Sequence, residues 1–158
     1  MAKRTAEEWF NLYGESHQNP VNKFIHFICV PLIMFSLLGL MWAVPMPESL
    51  RNYPYFNLAL LFVAFALVFY LRMSVIIAVG MLFVAVGMCL ALANMAAMFD
   101  VANFAWIHFG IFFLAWVGQF IGHKIEGKKP SFFQDLQFLL VGPAWILAYI
   151  YIYLRIRY

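Results

Sequence analysis

MSVIIAVGMLFVAVGMCLALANMAAMF, residues 73–99, runs for 27 residues without a charge. A bilayer core of about 30 Å takes roughly 20 helical residues to cross, so this stretch is long enough to span. It lacks the period-2 alternation of a barrel strand, and in hydrocarbon a helix satisfies its own backbone. Charged residues isolate four further runs, 24–47, 52–71, 101–123 and 136–154, of 24, 20, 23 and 19 residues. The chain's 158 residues are 66% hydrophobic, 20% aromatic and 11% charged, far from the usage of a soluble domain. The fold class that follows is all-α, a polytopic membrane helix bundle. It has five spans, or four plus a re-entrant C-terminal segment, because Gly142-Pro143 interrupts the last run.

Residues 1–158 read as one integral membrane domain with a polar segment 1–23 and spans at about 24–44, 55–71, 73–98, 101–122 and 136–154. The polar segment carries both charge signs, so the first span is expected to act as its own insertion signal. Cys29 and Cys89 lie inside apolar runs without CxxC spacing and read as buried thiols, not a disulfide framework. The net charge of +3 is loop charge, so no nucleic-acid partner is expected. A homo-oligomer is compatible with this composition. The abundant Met and Phe read as lipid-facing and packing surface.

Lys and Arg on alternate loops set the orientation. With five spans, Lys3, Arg4, Lys23, Arg72, Lys124, Lys128 and Lys129 share the N-terminal side, against Arg51, Arg155 and Arg157, seven to three. If the last segment returns, Arg155 and Arg157 change sides and the count is nine to one. Either count predicts a cytoplasmic N-terminus.

The polar edge of the first span, GESHQNPVNKFIHF at 14–27, holds two of the chain's four histidines. Asn19 reads as an N-cap and Pro20 as the first helical residue. Asn22 and His26 are then i,i+4 on one face. Trp116, Gln119 and His123 form a stripe on the fourth span, and Glu126 lies three residues beyond. An odd span's start and an even span's finish share a side, so His17, His26 and His123 can meet. His108 is 15 residues before His123, about 22 Å along a helix, and reads as a packing residue. Asn94 and Asn103 need only a helix–helix hydrogen bond.

The expected result is a pocket on the N-terminal side, lined by imidazoles, amides and a carboxylate. Single interfacial histidines and asparagines usually cap helices or bind headgroups; three converging histidines point to a metal site, with Zn and Fe the ions suited to imidazole. Four histidines are too few for a di-iron desaturase cluster, and GxSxG, phosphate-loop and HExxH motifs are absent. A zinc-dependent membrane lipid hydrolase and a non-enzymatic membrane scaffold or carrier remain as alternative readings.

The spacing H-x-N-P-x-N-x-x-x-H (His17, Asn19, Pro20, Asn22, His26), followed by Val30-Pro31, resembles the first signature of the membrane 2-hydroxy-fatty-acid dioxygenases. QFIGHKIEGKKPSFFQDLQFLLVGPAW, residues 119–145, is similar to that family's second signature. The resemblance implies an Fe(II)-dependent enzyme that uses O₂ to shorten a long-chain 2-hydroxy fatty acid by one carbon, the α-oxidation of fatty acids, among membrane lipids. It implies His17, His26 and His123 as the metal ligands. Asn19, Asn22, Gln119 and Glu126 are then the candidate catalytic polar groups, with Glu126 expected to orient a ligand. Lys124, Lys128 and Lys129 are the candidates for steering the substrate carboxylate. A bacterial inner membrane is the expected location, the endoplasmic reticulum its eukaryotic counterpart.

Overall fold

The computed structural model describes residues 5–51, 56–127 and 132–158, with backbone alone for 51 and 132–137. Among them every regular element is helical: α1 (Ala6–Gly14), α2 (Pro20–Ala43), α3 (Glu48–Arg51), α4 (Leu58–Met73), α5 (Val75–Met98), α6 (Val101–Glu126) and α7 (Phe132–Tyr153). Helices α2, α5 and α6 are long and apolar enough to cross a membrane, which fits a membrane protein. Helix α4 has 16 residues, about 24 Å at 1.5 Å per residue, and falls short of a full core.

Side-chain oxygens start these helices. Asn19 Oδ1 accepts from the backbone N–H of Val21 at 2.9 Å, and Pro20 follows as the first residue of α2. Asn57 caps α4, Ser74 caps α5 and Asp100 caps α6. Each supplies an acceptor that the first turn lacks. Helix α6 ends at Gly127, whose φ of 73° is the left-handed C-terminal turn that glycine adopts without strain. Helix α1 carries a capping box, with Thr5 and Glu8 bonding each other's backbone N–H.

The longest interface runs antiparallel between α2 and α6, and three glycines permit it. A Cβ on Gly122 would lie 2.4 Å from Asn22 Oδ1, one on Gly118 2.6 Å from Cys29 Sγ, and one on Gly39 2.0 Å from the His108 ring. Small residues let helix backbones approach closely when both neighbours and solvent are apolar. Gly118 and Gly122 have the G-x-x-x-G spacing. Bulky side chains turn outward: Phe65, Phe83, Leu114 and Phe120 are each about two-thirds exposed, whereas Asn22, His26, Ser36, His108 and Gln119 are buried. Asn94 and Asn103 do not bond across helices. Asn94 donates to Leu90 O one turn back, and Asn103 to the Asp100 cap.

Two apolar clusters divide the bundle by depth. One joins Met34, Leu38, Ala59, Leu92 and Phe104 at the far end. The other joins α1 and α7 to Ala66, Tyr70, Ile77 and Met81, at the N-terminal-side ends of α4 and α5. Helix α7 belongs to this second layer. Tyr70 Oη donates to Leu140 O at 2.9 Å, Tyr151 Oη donates to Ile76 O at 3.0 Å, and Trp145 packs on Phe27. Tyr158 meets Phe10 of α1, which brings the Arg155–Arg157 end to the same side as α1. Helix α7 thus packs mainly on the cluster at the α1 end, while its Leu140 also touches the other cluster. Pro143 sits inside it without reversing the chain, so a hairpin at Gly142-Pro143 is not formed.

A methyl group at Gly39 meets ring atoms that cannot withdraw, because His108 Nδ1 is bonded to Phe104 O at 2.8 Å. Gly39→Ala is expected to cost about 1–3 kcal/mol, the usual cost of overpacking. Gly87→Ala and Gly110→Ala, where a Cβ meets nothing within 4 Å, should be neutral. Thermal midpoints of the three variants in detergent check this, and equal midpoints would contradict it.

Candidate metal centre

The last turn of α1 places the first histidine. His17 N–H donates to Gly14 O at 3.0 Å, and His17 Nδ1–H donates to Tyr13 O at 2.6 Å. Its ring stacks on the Tyr13 ring with centroids 4.0 Å apart. On α2, His26 Nδ1–H donates to Asn22 O at 2.9 Å. In both rings the Nδ1 proton is committed to a carbonyl, which leaves the Nε2 lone pair as the available ligand atom. His123 comes from the last turns of α6.

The three rings converge. Centroids are 4.2 Å apart for His17 and His26, 4.9 Å for His26 and His123, and 5.4 Å for His17 and His123. One ligand nitrogen from each lies within 4.8 Å of the others. At about 2.0–2.1 Å from an ion, two ligands on one metal are at most about 4.2 Å apart, so a small contraction seats a cation. His17 Nε2 and His123 Nδ1 are buried without a hydrogen-bond partner. A buried ring nitrogen normally has a partner, and these two belong to rings of the same cluster. The donor set fits a metal that favours imidazole.

The surroundings divide into a polar rim and an apolar floor. Glu126, one residue before Gly127, accepts from the backbone N–H of Gln18 at 2.8 Å and of Asn19 at 2.9 Å, and from Asn22 Nδ2 at 3.0 Å. Asn22 Nδ2 also donates to Ser16 O. Glu126 is outside the histidine cluster; its oxygens hold the α1–α2 connection and the start of α2. Gln119 is buried beside His26 and leaves Nε2 without a partner. Below the rings lies a cavity with about 50 Å³ of free space, bordered by Val30, Ile33, Met34, Trp116, Phe138 and Leu139. That exceeds the room one water needs, roughly 10–15 Å³.

The other candidates fall elsewhere. Asn19 caps α2 at the rim. Lys124 is exposed and does not border the cavity, and Lys128 and Lys129 lie outside the described residues. His108 is buried against Gly39 and Phe104, apart from the cluster. Tyr13, Ser16 and Gly122 were not anticipated. Tyr13 stands four residues before His17, the spacing at which a side chain reaches a carbonyl one turn back, and that was the available signal. Gly122 stands in the G-x-x-x-G spacing.

The chain matches the family described as 2-hydroxy-palmitic acid dioxygenase Mpo1-like over residues 3–154. It belongs to that family. A relative, the 2-hydroxy-palmitic acid dioxygenase MPO1 of Saccharomyces cerevisiae, is 31% identical over 138 residues, covering 85% of this chain and 73% of the yeast protein. No solved structure matches. The three histidines and Glu126 of this Mpo1-like chain all lie inside the matched range.

Burial pushes the His17 pKa down from 6.5 to about 4, which keeps the ring neutral near pH 7. Between those values the unfolded chain binds a proton that the folded chain refuses. Stability present above pH 6.5 is therefore lost as pH falls toward about 4. His17→Gln in metal-free protein is expected to flatten this decline in thermal midpoint. A decline of unchanged slope would show that His17 does not carry it.

Proposed function

We propose that this chain is an Fe(II)-dependent dioxygenase that shortens long-chain 2-hydroxy fatty acids by one carbon at the cytoplasmic face of a bacterial inner membrane. The observation behind this reading is the convergence of three imidazoles over an apolar cavity. Membership in the Mpo1-like family supports the substrate class. In the proposal His17, His26 and His123 hold the iron, as imidazole-rich oxygenase sites do. Bound iron would supply open positions for O₂ and for the substrate's 2-hydroxyl and carboxylate. The overall reaction closes on a 2-hydroxy acid and O₂ giving the acid one carbon shorter, CO₂ and water. The C1–C2 bond breaks, and O₂ takes up four electrons.

The protein's part is to hold and orient. Tyr13 O and Asn22 O fix the tautomers of His17 and His26. Gln119 turns its amide into the cavity, where Nε2 is able to donate to a substrate oxygen. Val30, Ile33 and Met34 keep water from the floor and offer apolar surface to the alkyl chain, worth about 0.8 kcal/mol per buried CH₂. Glu126 acts at a distance by holding the start of α2, and with it His26, in register with α6.

Metal analysis of purified protein with an O₂-dependent assay on 2-hydroxypalmitate tests the reading. Iron bound near one per chain and turnover only in oxygen are expected. Turnover without O₂ would favour a hydrolase, and protein free of metal a scaffold or carrier. Alanine at His17, His26 or His123 should abolish turnover and lower the iron content, whereas His108→Ala should keep iron near wild type. Glu126→Gln should cost about 10–100-fold in activity, as changes behind a ligand do, with iron retained in part. Complete iron loss in Glu126→Gln together with full retention in Gln119→Ala would make Glu126 a ligand.

A further inference from the structure

Outside the histidine cluster, on the other side of the His17 ring, lies an open groove of about 370 Å³ between α1, the start of α2 and the end of α7. This is within the range of small-molecule sites, about 300–1,000 Å³. Its lining is two-sided. Lys23 and His17 line it from α2 and the α1–α2 connection, and Trp145, Tyr149, Ile152 and Tyr158 supply aromatic and aliphatic surface. Glu15, also at the groove, is exposed, while Lys23 is half-buried. Lys23 is the fourth residue of α2. Lys23, His26 and Val30 follow at i, i+3 and i+7, so one stripe of α2 descends from groove to cavity. His17 borders both spaces, and the Lys23 charge is felt at its ring.

We propose that this groove is the reception site for the fatty-acid substrate, with the Lys23 ammonium pairing the carboxylate and the Trp145–Tyr149–Ile152 surface lying along the first part of the alkyl chain. The inference rests on the substrate class read above. An amphiphile with one anionic head and an apolar tail matches a groove with one half-buried cation and an apolar side. The position also suits delivery. A fatty acid in a bilayer keeps its carboxylate at the interface, the level at which a lysine on the first turn of a spanning helix holds its ammonium. From there the head has to move inward only past His17 to reach the three imidazoles. Lys124, by contrast, is exposed on α6 and shares no space with the cluster.

Direct binding separates this inference from the proposed reaction. Affinities of purified full-length protein in detergent are measured by equilibrium dialysis with 2-hydroxypalmitate, palmitate and the uncharged 1,2-hexadecanediol. Lys23→Ala is expected to weaken both acids tenfold or more and leave the diol unchanged, with iron content as in wild type. Lys23→Arg should restore acid binding, and Lys124→Ala should leave it intact. Equal weakening of acids and diol, or acid binding indifferent to Lys23, would overturn the groove assignment. Lys23-dependent binding in protein that never turns over in O₂ would keep the groove and remove the dioxygenase. Turnover with binding indifferent to Lys23 would do the reverse.

Discussion

One carboxylate holds the arrangement together. Glu126 sits at the C-terminal end of α6, a position the helix dipole disfavours for an anion, yet its oxygens accept three N–H donors from residues 18–22. Two of these are backbone groups at the N-terminal start of α2, where the dipole favours a negative charge. The carboxylate thus caps a neighbouring helix, at the place where α1 turns into α2. Charge-assisted bonds of this kind are about twice as strong as neutral ones. The consequence is positional: α1 is fixed over the end of α6, and His17 is set opposite His123.

Below that clasp the same two helices approach through Gly122, Gly118 and Gly39. The glycines and the carboxylate do different work. Glycine permits close approach along the whole length but does not select a register. The Asn22–Glu126 bond selects it, because a slip of one residue would separate a buried amide from its acceptor. The orphaned Asn22 Oδ1 sits against Gly122, so the contact that sets the register is also a crowded one. A site built from two helices needs both devices.

Much of this was legible in the sequence because it follows from rules with few exceptions. Charge-free runs gave the helices, and span parity put His17, His26 and His123 at one end. Asn19-Pro20 marked the start of α2. Three features were hidden. Helix α1 was signalled by T-x-x-E at Thr5–Glu8, but a polar segment of that length is stabilised mainly by docking on α7, which no local pattern reveals. The run at 136–154 has the hydropathy of a span, but hydropathy does not distinguish burial in lipid from the burial in protein found at Val141, Ala144 and Ala148. Lys124 drew attention by adjacency to His123. Adjacent residues on a helix point about 100° apart, and Lys124 accordingly faces outward.

The placement of the histidines at the end of the bundle, not its middle, has a physical reason. A buried imidazole that remains neutral costs one hydrogen-bonded carbonyl, and His17, His26 and His108 each take one four residues back. At mid-helix that carbonyl is already bonded within the ladder. Tyr13 O, at the end of α1, lies where intrahelical donors run out, and Pro31 withholds its donor from Phe27 one residue beyond His26. A helix end thus frees the acceptor of His17, whereas the Asn22 carbonyl that His26 uses lies inside α2. His108, deep in the regular part of α6, has no such relief and no neighbouring imidazole. The same ring chemistry serves there only to fill the space that Gly39 leaves.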